Sequence, residues 1–196
     1  MTHKKNRCSW ATESDLLYIS YHDNEWGIPL YDDHKLFELL ILEGAQAGLS
    51  WQTILHRREN YRTAFLNFDP EKVANMKDSD VAQLLHNKGI IRNKRKIEST
   101  IQNAQVFCNI QSTYGSFSNY YWNWVDGKPI VNHFQNLNEI PVKTELSEKI
   151  SKDLKKRGMN FVGPVIIYAY MQATGMVNDH IKTCFRHMEC ICHNKK

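Results

Sequence analysis

Apolar residues recur at helical spacing along most of the chain, and no stretch alternates apolar and polar positions as a half-buried strand would. The spacing predicts a short helix capped by Ser14 and running through Tyr21, with Asp15 in its first turn. Asp33 is expected to cap a long helix carrying Leu36, Phe37, Leu39, Leu40, Leu42 and Ala45, apolar nearly all round and therefore central. Gly48, in the AGLSW stretch of residues 47–51, interrupts that helix, and Trp51, Ile54 and Leu55 begin the next. An apolar stripe continues over residues 60–65. Asp69-Pro70 opens a helix at Glu71, because proline suits the first helical position, and Asp78 opens another through Leu85, with Gly89 near its end. Further helices follow over residues 92–112 and, after Gly115, up to Trp124.

Residues 126–143 read as irregular, since Gly127, Pro129 and Pro141 interrupt them. Helix returns from the cap Thr144 to Arg157 and, after Gly158 and a short turn, from Pro164 to just before Gly175. The expected fold class is all-α: one domain, or two lobes sharing a core.

Composition narrows the class. No apolar run approaches the roughly 20 residues of a membrane span, and the basic start MTHKKNRCSW has no apolar stretch behind it, so a cytoplasmic protein is expected. Five cysteines is an odd number, and a reducing compartment favours metal ligation over disulfides. The net charge of +4 permits a nucleic-acid partner without requiring one. Basic clusters stand at residues 57–58, 92–96 (RNKRK) and 155–157 (KKR), and each is equally accounted for by a solvated helix face. Aromatic residues carry more information. Trp10, Tyr18, Tyr21, Trp26 and Tyr31 crowd the first 31 residues, a stretch too polar to be a core alone. They fill a core made elsewhere or line a pocket.

Two segments suggest chemistry. In LKKRGMNFVGPVIIYAY a basic helix stops at Gly158, Gly163 permits close backbone approach, and Pro164 opens a helix whose free N–H groups can hold a phosphate beside Lys155, Lys156 and Arg157. The segment resembles a helix-hairpin-helix element, which grips the DNA backbone without reading sequence; an ordinary αα-hairpin has the same punctuation. In HIKTC, His180 and Cys184 are four apart and share one face if helical, a pairing that suits zinc. Cys8 and His22 can complete a closed, structural Cys2His2 site joining the two ends of the chain. The tail residues His187, Cys190, Cys192 and His193 compete for that role, and spacing does not choose between the pairs. Cys108, in an apolar stretch, reads as a core residue.

The segments YISYHDNEWGIPLYDD (18–33), LFELLILEGAQAGLSWQTIL (36–55), FDPEKVANM, GIIRNKRKI and RGMNFVGPVIIYAYMQATGMVNDH resemble, in order and wording, the bacterial 3-methyladenine DNA glycosylase I family of the helix-hairpin-helix superfamily. The resemblance runs from about Cys8 to Cys184. It implies a two-lobed, all-helical glycosylase domain over residues 1–196. The hairpin falls at about 145–175; the tail 188–196, beyond the resemblance, is expected to be disordered. It selects Cys8, His22, His180 and Cys184 as structural zinc ligands. It places a base pocket on Trp10, Tyr18, Tyr21, Glu43 and Trp51, with Glu43 catalytic, and a DNA-gripping hairpin on residues 157–164, so Arg157, Gly158 and Gly163 join Lys155 and Lys156 as expected DNA contacts. Where related superfamily members carry a catalytic Asp in a VDTH-like segment, this chain reads VNDH, with Asn178 at that position.

The implied reaction is removal of 3-methyladenine from double-stranded DNA by a monomer without lyase activity. Methylation at N3 makes the base a cation and a good leaving group, so the enzyme's main problem is selectivity. Aromatic faces attract a cation by about 0.5–2 kcal/mol or more when desolvated. Glu43 complements its charge, and burial of that carboxylate in LLILEGAQAG is costly without such a role. A non-catalytic, zinc-stabilised DNA-binding module is the alternative; it leaves the aromatic cluster unexplained. A metal or redox sensor built on the cysteine-rich tail is a third reading.

Overall fold

Side-chain caps set the helix starts in the computed structural model, which describes residues 5–193. Asp15 accepts from the N–H groups of Leu17 and Tyr18 and opens α1 (Leu16–Asn24), displacing the expected cap Ser14, whose hydroxyl bonds Thr12 instead. Asp32 caps α2 (Asp33–Gln46) through the Lys35 N–H. Asp33, expected in that role, turns its carboxylate away. It accepts from the backbone N–H groups of Phe117 and Ser118 and from Gln111, so it serves the start of α8 (Phe117–Trp122) from a neighbouring helix. Asp69 and Thr144 cap α5 (Pro70–Ala74) and α9 (Glu145–Lys156) as the sequence suggests.

α2 is buried on every side from Leu36 to Ala45, which explains its apolar circumference. Around it pack α3 (Trp51–Leu55), α7 (Lys94–Tyr114), α8 and α10 (Pro164–Ala173). α5 and α6 (Asp78–Leu84) lie on α7, α4 (Arg58–Ala64) follows α3, and α9 packs on α10. The buried apolar residues form one contiguous cluster from Cys8 to Cys184, so the halves share a core. Among the described residues no helix is long and apolar enough to cross a membrane.

The chain is not wholly helical. Within the irregular connection, β1 (Ile130–Val131) pairs in parallel with β2 (Val177–Asn178). Two-residue strands show no periodicity, so sequence alone cannot reveal this ladder. It anchors the connection beside the segment that leads to His180.

Gly175 makes the closest approach among the glycines. Its φ is +68°, and a Cβ there would lie 2.2 Å from the Ile28 carbonyl carbon. Glycine lets residues 27–30 run across the end of α10, where Gly27 N–H donates to the Gln172 carbonyl and Leu30 N–H to the Thr174 carbonyl. The disordered tail expected at 188–196 is corrected as far as His193: residues 185–193 form α11 (Phe185–His193). Arg186, His187 and Cys190 share one buried face of it, with Met188 and Glu189 outside. Residues 194–196 lie outside the described residues.

Candidate active site

A cavity of about 210 Å³ opens between α1, the α2–α3 junction and α10. All five residues expected in a base pocket line it: Trp10, Tyr18, Tyr21, Glu43 and Trp51. Trp26, Gln46, Ala169 and Gln172 complete the lining. The volume is below the roughly 300–1,000 Å³ of drug-sized sites and suits one small planar ring system.

The aromatic walls brace one another. Trp10 meets Tyr18 at 4.9 Å and Trp26 at 5.1 Å, the latter edge to face, and Tyr21 meets Trp51 at 5.3 Å. Tilted and edge contacts of this kind are the preferred aromatic geometry. They fix the rings against one another. Tyr18 and Tyr21 reach one cavity because three residues separate them on α1. α1 is joined to α3 by Asp15, which accepts from Gln52 Nε2 at 2.5 Å and His56 Nε2 at 2.7 Å. These bonds, that from Gln52 first, pull the Asp15 carboxyl down to about 2.

Glu43 is buried and makes no hydrogen bond or ion pair among the described residues. The sealed side-chain atoms that lack a partner are Trp51 Nε1 and Arg186 Nε and Nη2. The Glu43 oxygens are not among them, so they are open to the cavity. Burial alone pushes the Glu43 carboxyl up to about 8. An unpaired carboxylate costs several kcal/mol to hold in such a place, which favours the protonated form.

The turn after α2 is also built deliberately. Lys96, from the basic cluster at 92–96, donates to the carbonyls of Ala45 and Ala47 at 2.8 and 2.7 Å, closing the C-terminus of α2. Burial lowers its pKa. Gly48 then turns the chain at φ +77°, and Leu49, whose N–H donates to the Gln46 carbonyl, is exposed.

A second cluster lies beneath the aromatic wall. Ligand atoms of Cys8, His22, His180 and Cys184, all buried, fall within 4.8 Å of one another and can hold a metal ion. A tetrahedral ion about 2.3 Å from sulfur and about 2.0–2.1 Å from nitrogen sets sulfur–nitrogen separations of roughly 3.5 Å. Those here are 3.4 Å (Cys184–His22), 3.5 Å (Cys184–His180) and 3.6 Å (Cys8–His180). The outer ring nitrogens are occupied: His22 Nδ1 by Asp23 at 2.8 Å, and His180 Nε2 by the Trp26 carbonyl at 3.0 Å. Arg7 holds Asp23 in turn. Such outer bonds fix ligand tautomers. Hydrogen bonding from Cys8, ahead of that from the two histidines, pulls the Cys184 thiol down. The same bond and burial push Cys8 up. A dication bound there would favour the thiolate form of both.

Asn178 has no access to chemistry. Its Nδ2 donates to the His187 carbonyl and its Oδ1 accepts from the His180 N–H, so it shapes the ligand loop.

α9 and α10 pack on each other and are joined by the turn 157–163. Gly158 has φ +106°, Val162 is buried, and Gly163 precedes α10 without a side-chain cap. A Cβ on Gly163 would meet nothing within 4 Å, so the start of α10 is approachable. Lys155 and Lys156 are exposed. Arg157 is committed inward: it bonds Asp153 at 2.6 Å and the Tyr114 hydroxyl at 2.9 Å, over the rings of Tyr114 and Tyr120. The turn is pinned to α7 by Asn103, which donates to the Asn160 carbonyl and accepts from the Asn160 N–H. It also presses on α2, since a Cβ on Gly44 would touch Phe161 at 3.3 Å. A larger groove of about 500 Å³ beside α4 has no Trp, Tyr or Phe in its lining, and its Arg58 is paired with Glu25 and Glu38.

Comparison with known proteins matches residues 10–187 to a family described as methyladenine glycosylase. The chain is 49% identical over 178 residues to DNA-3-methyladenine glycosylase 1 of Escherichia coli (strain K12), covering 91% of this chain and 95% of that protein. It is 47% identical to DNA-3-methyladenine glycosylase of Haemophilus influenzae, covering 91% and 96%. A solved structure concerned with 3-methyladenine recognition by 3-methyladenine DNA glycosylase I from Staphylococcus aureus superposes with a TM-score of 0.89 at 38% identity, covering 98% of each chain.

Proposed function

From the premise that the chain belongs to the methyladenine glycosylase family, we propose that it excises 3-methyladenine from DNA by hydrolysing the bond between base and sugar. The observation that carries this reading is the unpartnered Glu43 carboxyl facing a small aromatic cavity.

The cavity suits a cationic purine. Rings of Trp10, Tyr18, Tyr21 and Trp51 offer π faces, and Glu43 offers a negative charge that only a positive guest calls out. At pH 7 ionising a carboxyl of pKa about 8 costs about 1.4 kcal/mol, which neutral adenine cannot return and a cation can. The target leaves the duplex to reach this depth. Lys155, Lys156, Gly158 and the N–H groups following Gly163 hold the backbone while Arg157 stiffens the hairpin. Ala169 and Gln172 lie on the helix that starts there, so one element grips phosphate at its first turn and walls the base near its last.

In the reaction the electron pair of the bond to the sugar passes to the base, which departs neutral. Water adds to the sugar carbon and releases a proton. Glu43 stabilises the positive charge and orients the base. The cavity lining includes no lysine, in keeping with a monofunctional hydrolase rather than a lyase.

The donor set of Cys8, His22, His180 and Cys184 fits structural zinc, a closed site whose four ligands leave no position for substrate. Bound there, the ion would supply rigidity by tying α1 and its tyrosines to the segment before α11. The whole chain acts as one domain on double-stranded DNA, as a cytoplasmic monomer. The test is a time course of 3-methyladenine release from methylated DNA. Binding without release would favour the alternative DNA-binding module.

A further inference from the structure

Gln172 reaches the cavity from α10, and its carboxamide is held by a buried group that the mechanism above does not use. Asp179 is fully buried and accepts three hydrogen bonds: from the Tyr168 hydroxyl at 2.6 Å, Asn132 Nδ2 at 2.7 Å and Gln172 Nε2 at 2.8 Å. A carboxylate accepts and does not donate, so the Gln172 amide has one permitted orientation, nitrogen toward Asp179. Its oxygen must then face away. That oxygen has no partner among the described residues and is not sealed, so it is open to the cavity that Gln172 lines.

The polar groups of the lining differ in what they can exchange. The tyrosine hydroxyls and the Gln46 amide donate or accept as required. The Trp51 N–H is a fixed donor but is sealed. Gln172 Oε1 is a fixed acceptor that cannot turn, because Asp179 holds its other end.

We propose that Gln172, oriented by Asp179, makes this site selective for purines bearing an amine rather than a carbonyl at the 6-position. The inference rests on the glycosylase reading above. An adenine-type base offers an N–H donor at that edge, and a guanine-type base offers an oxygen. A 6-oxo base sets two acceptors against each other. Leaving a desolvated acceptor unpaired costs a factor of roughly 10 to 100. Asp179 is a positioning residue: replaced by Asn, its position can also donate, and the Gln172 amide is free to turn its nitrogen to the guest.

The experiment uses the full chain with its metal. Excision rates of 3-methyladenine and 3-methylguanine are measured on the same methylated DNA, and affinities for both free bases by NMR titration. Wild type should favour the 6-amino base at least tenfold in each assay. Gln172→Leu should lower that ratio about tenfold, mainly by weakening 3-methyladenine. Asp179→Asn should lower it by raising 3-methylguanine. Tyr168→Phe removes one buried hydrogen bond but keeps the carboxylate, so it should lose stability and retain the ratio. A folded, metal-loaded Gln172→Leu protein with the wild-type ratio overturns the proposal, as does a loss in Tyr168→Phe equal to that in Asp179→Asn. If Asp179→Asn does not fold, Gln172→Leu decides. If wild type releases neither base, the glycosylase reading fails, and the free-base affinities still decide the role of Gln172.

Discussion

Replacing Glu43 with Gln should strengthen the fold and weaken the enzyme. Gln keeps the shape of the side chain and removes only its capacity to ionise. In the folded chain burial holds the Glu43 carboxyl near 8, against about 4.5 when unfolded. Between those values the unfolded chain has released a proton that the folded chain retains. Stability of the wild type therefore falls as pH rises through this window, by about 1.4 kcal/mol per pH unit. By pH 7 the deficit is on the order of 3 kcal/mol, and Gln, which does not titrate, escapes it.

For a chain of 196 residues this corresponds to a melting temperature roughly 5–10 °C above wild type at pH 7.5, with the two proteins converging at pH 5. Function should move the other way. Losing a charge-assisted hydrogen bond to a cation costs about 1.5–3 kcal/mol, or roughly 10- to 150-fold in excision rate. Wild-type affinity for a cationic base should climb with pH to about 8 and then level, and the variant should show a flat profile. Thermal melts at both pH values, paired with single-turnover excision, check both halves. A Glu43→Gln protein that melts lower than wild type at pH 7.5, or excises as fast, would refute the reasoning.

Cys184→Ser should abolish stoichiometric zinc in elemental analysis and lower the melting temperature by 10 °C or more on the order of structural-site losses, since two histidines lose a shared partner. Lys155→Ala with Lys156→Ala should reduce the slope of log affinity for DNA against log salt by about 2, while free-base binding measured by NMR stays unchanged. Gly175→Ala should cost several kcal/mol in urea unfolding, because its φ is +68° and the added carbon would overlap the Ile28 carbonyl; wild-type stability would show that residues 27–30 do not lie against α10.

How much of this was legible beforehand varied with the kind of signal. α2 was legible because burial on all sides leaves an apolar sequence, and the Thr144 and Asp69-Pro70 starts because local caps carry their own signature. Asp33 misled because its carboxylate serves α8, 84 and 85 positions away along the chain, and a local rule cannot see that. The α11 helix was missed because its cysteines and histidines read as a metal-binding tail, although Arg186, His187 and Cys190 have the spacing of one helical face. The five aromatic and acidic pocket residues came from a resemblance. Trp26 could have been added from its position in the same aromatic cluster. Gln46, Ala169 and Gln172 carried no signal, since polar and small residues announce a cavity only when the helices that bear them are set side by side.

The four-residue metal cluster also bears on how the protein is made. Cys8 and His22 leave the ribosome early, and His180 and Cys184 follow far later in the chain. Until the late pair emerges, the early helix has no anchor for His22, and its two tyrosines have no fixed bearing on Glu43. A growing polypeptide thus cannot assemble a competent cavity in advance. The cavity would take its final form only once the segment bearing His180 and Cys184 has emerged and these distant residues first meet.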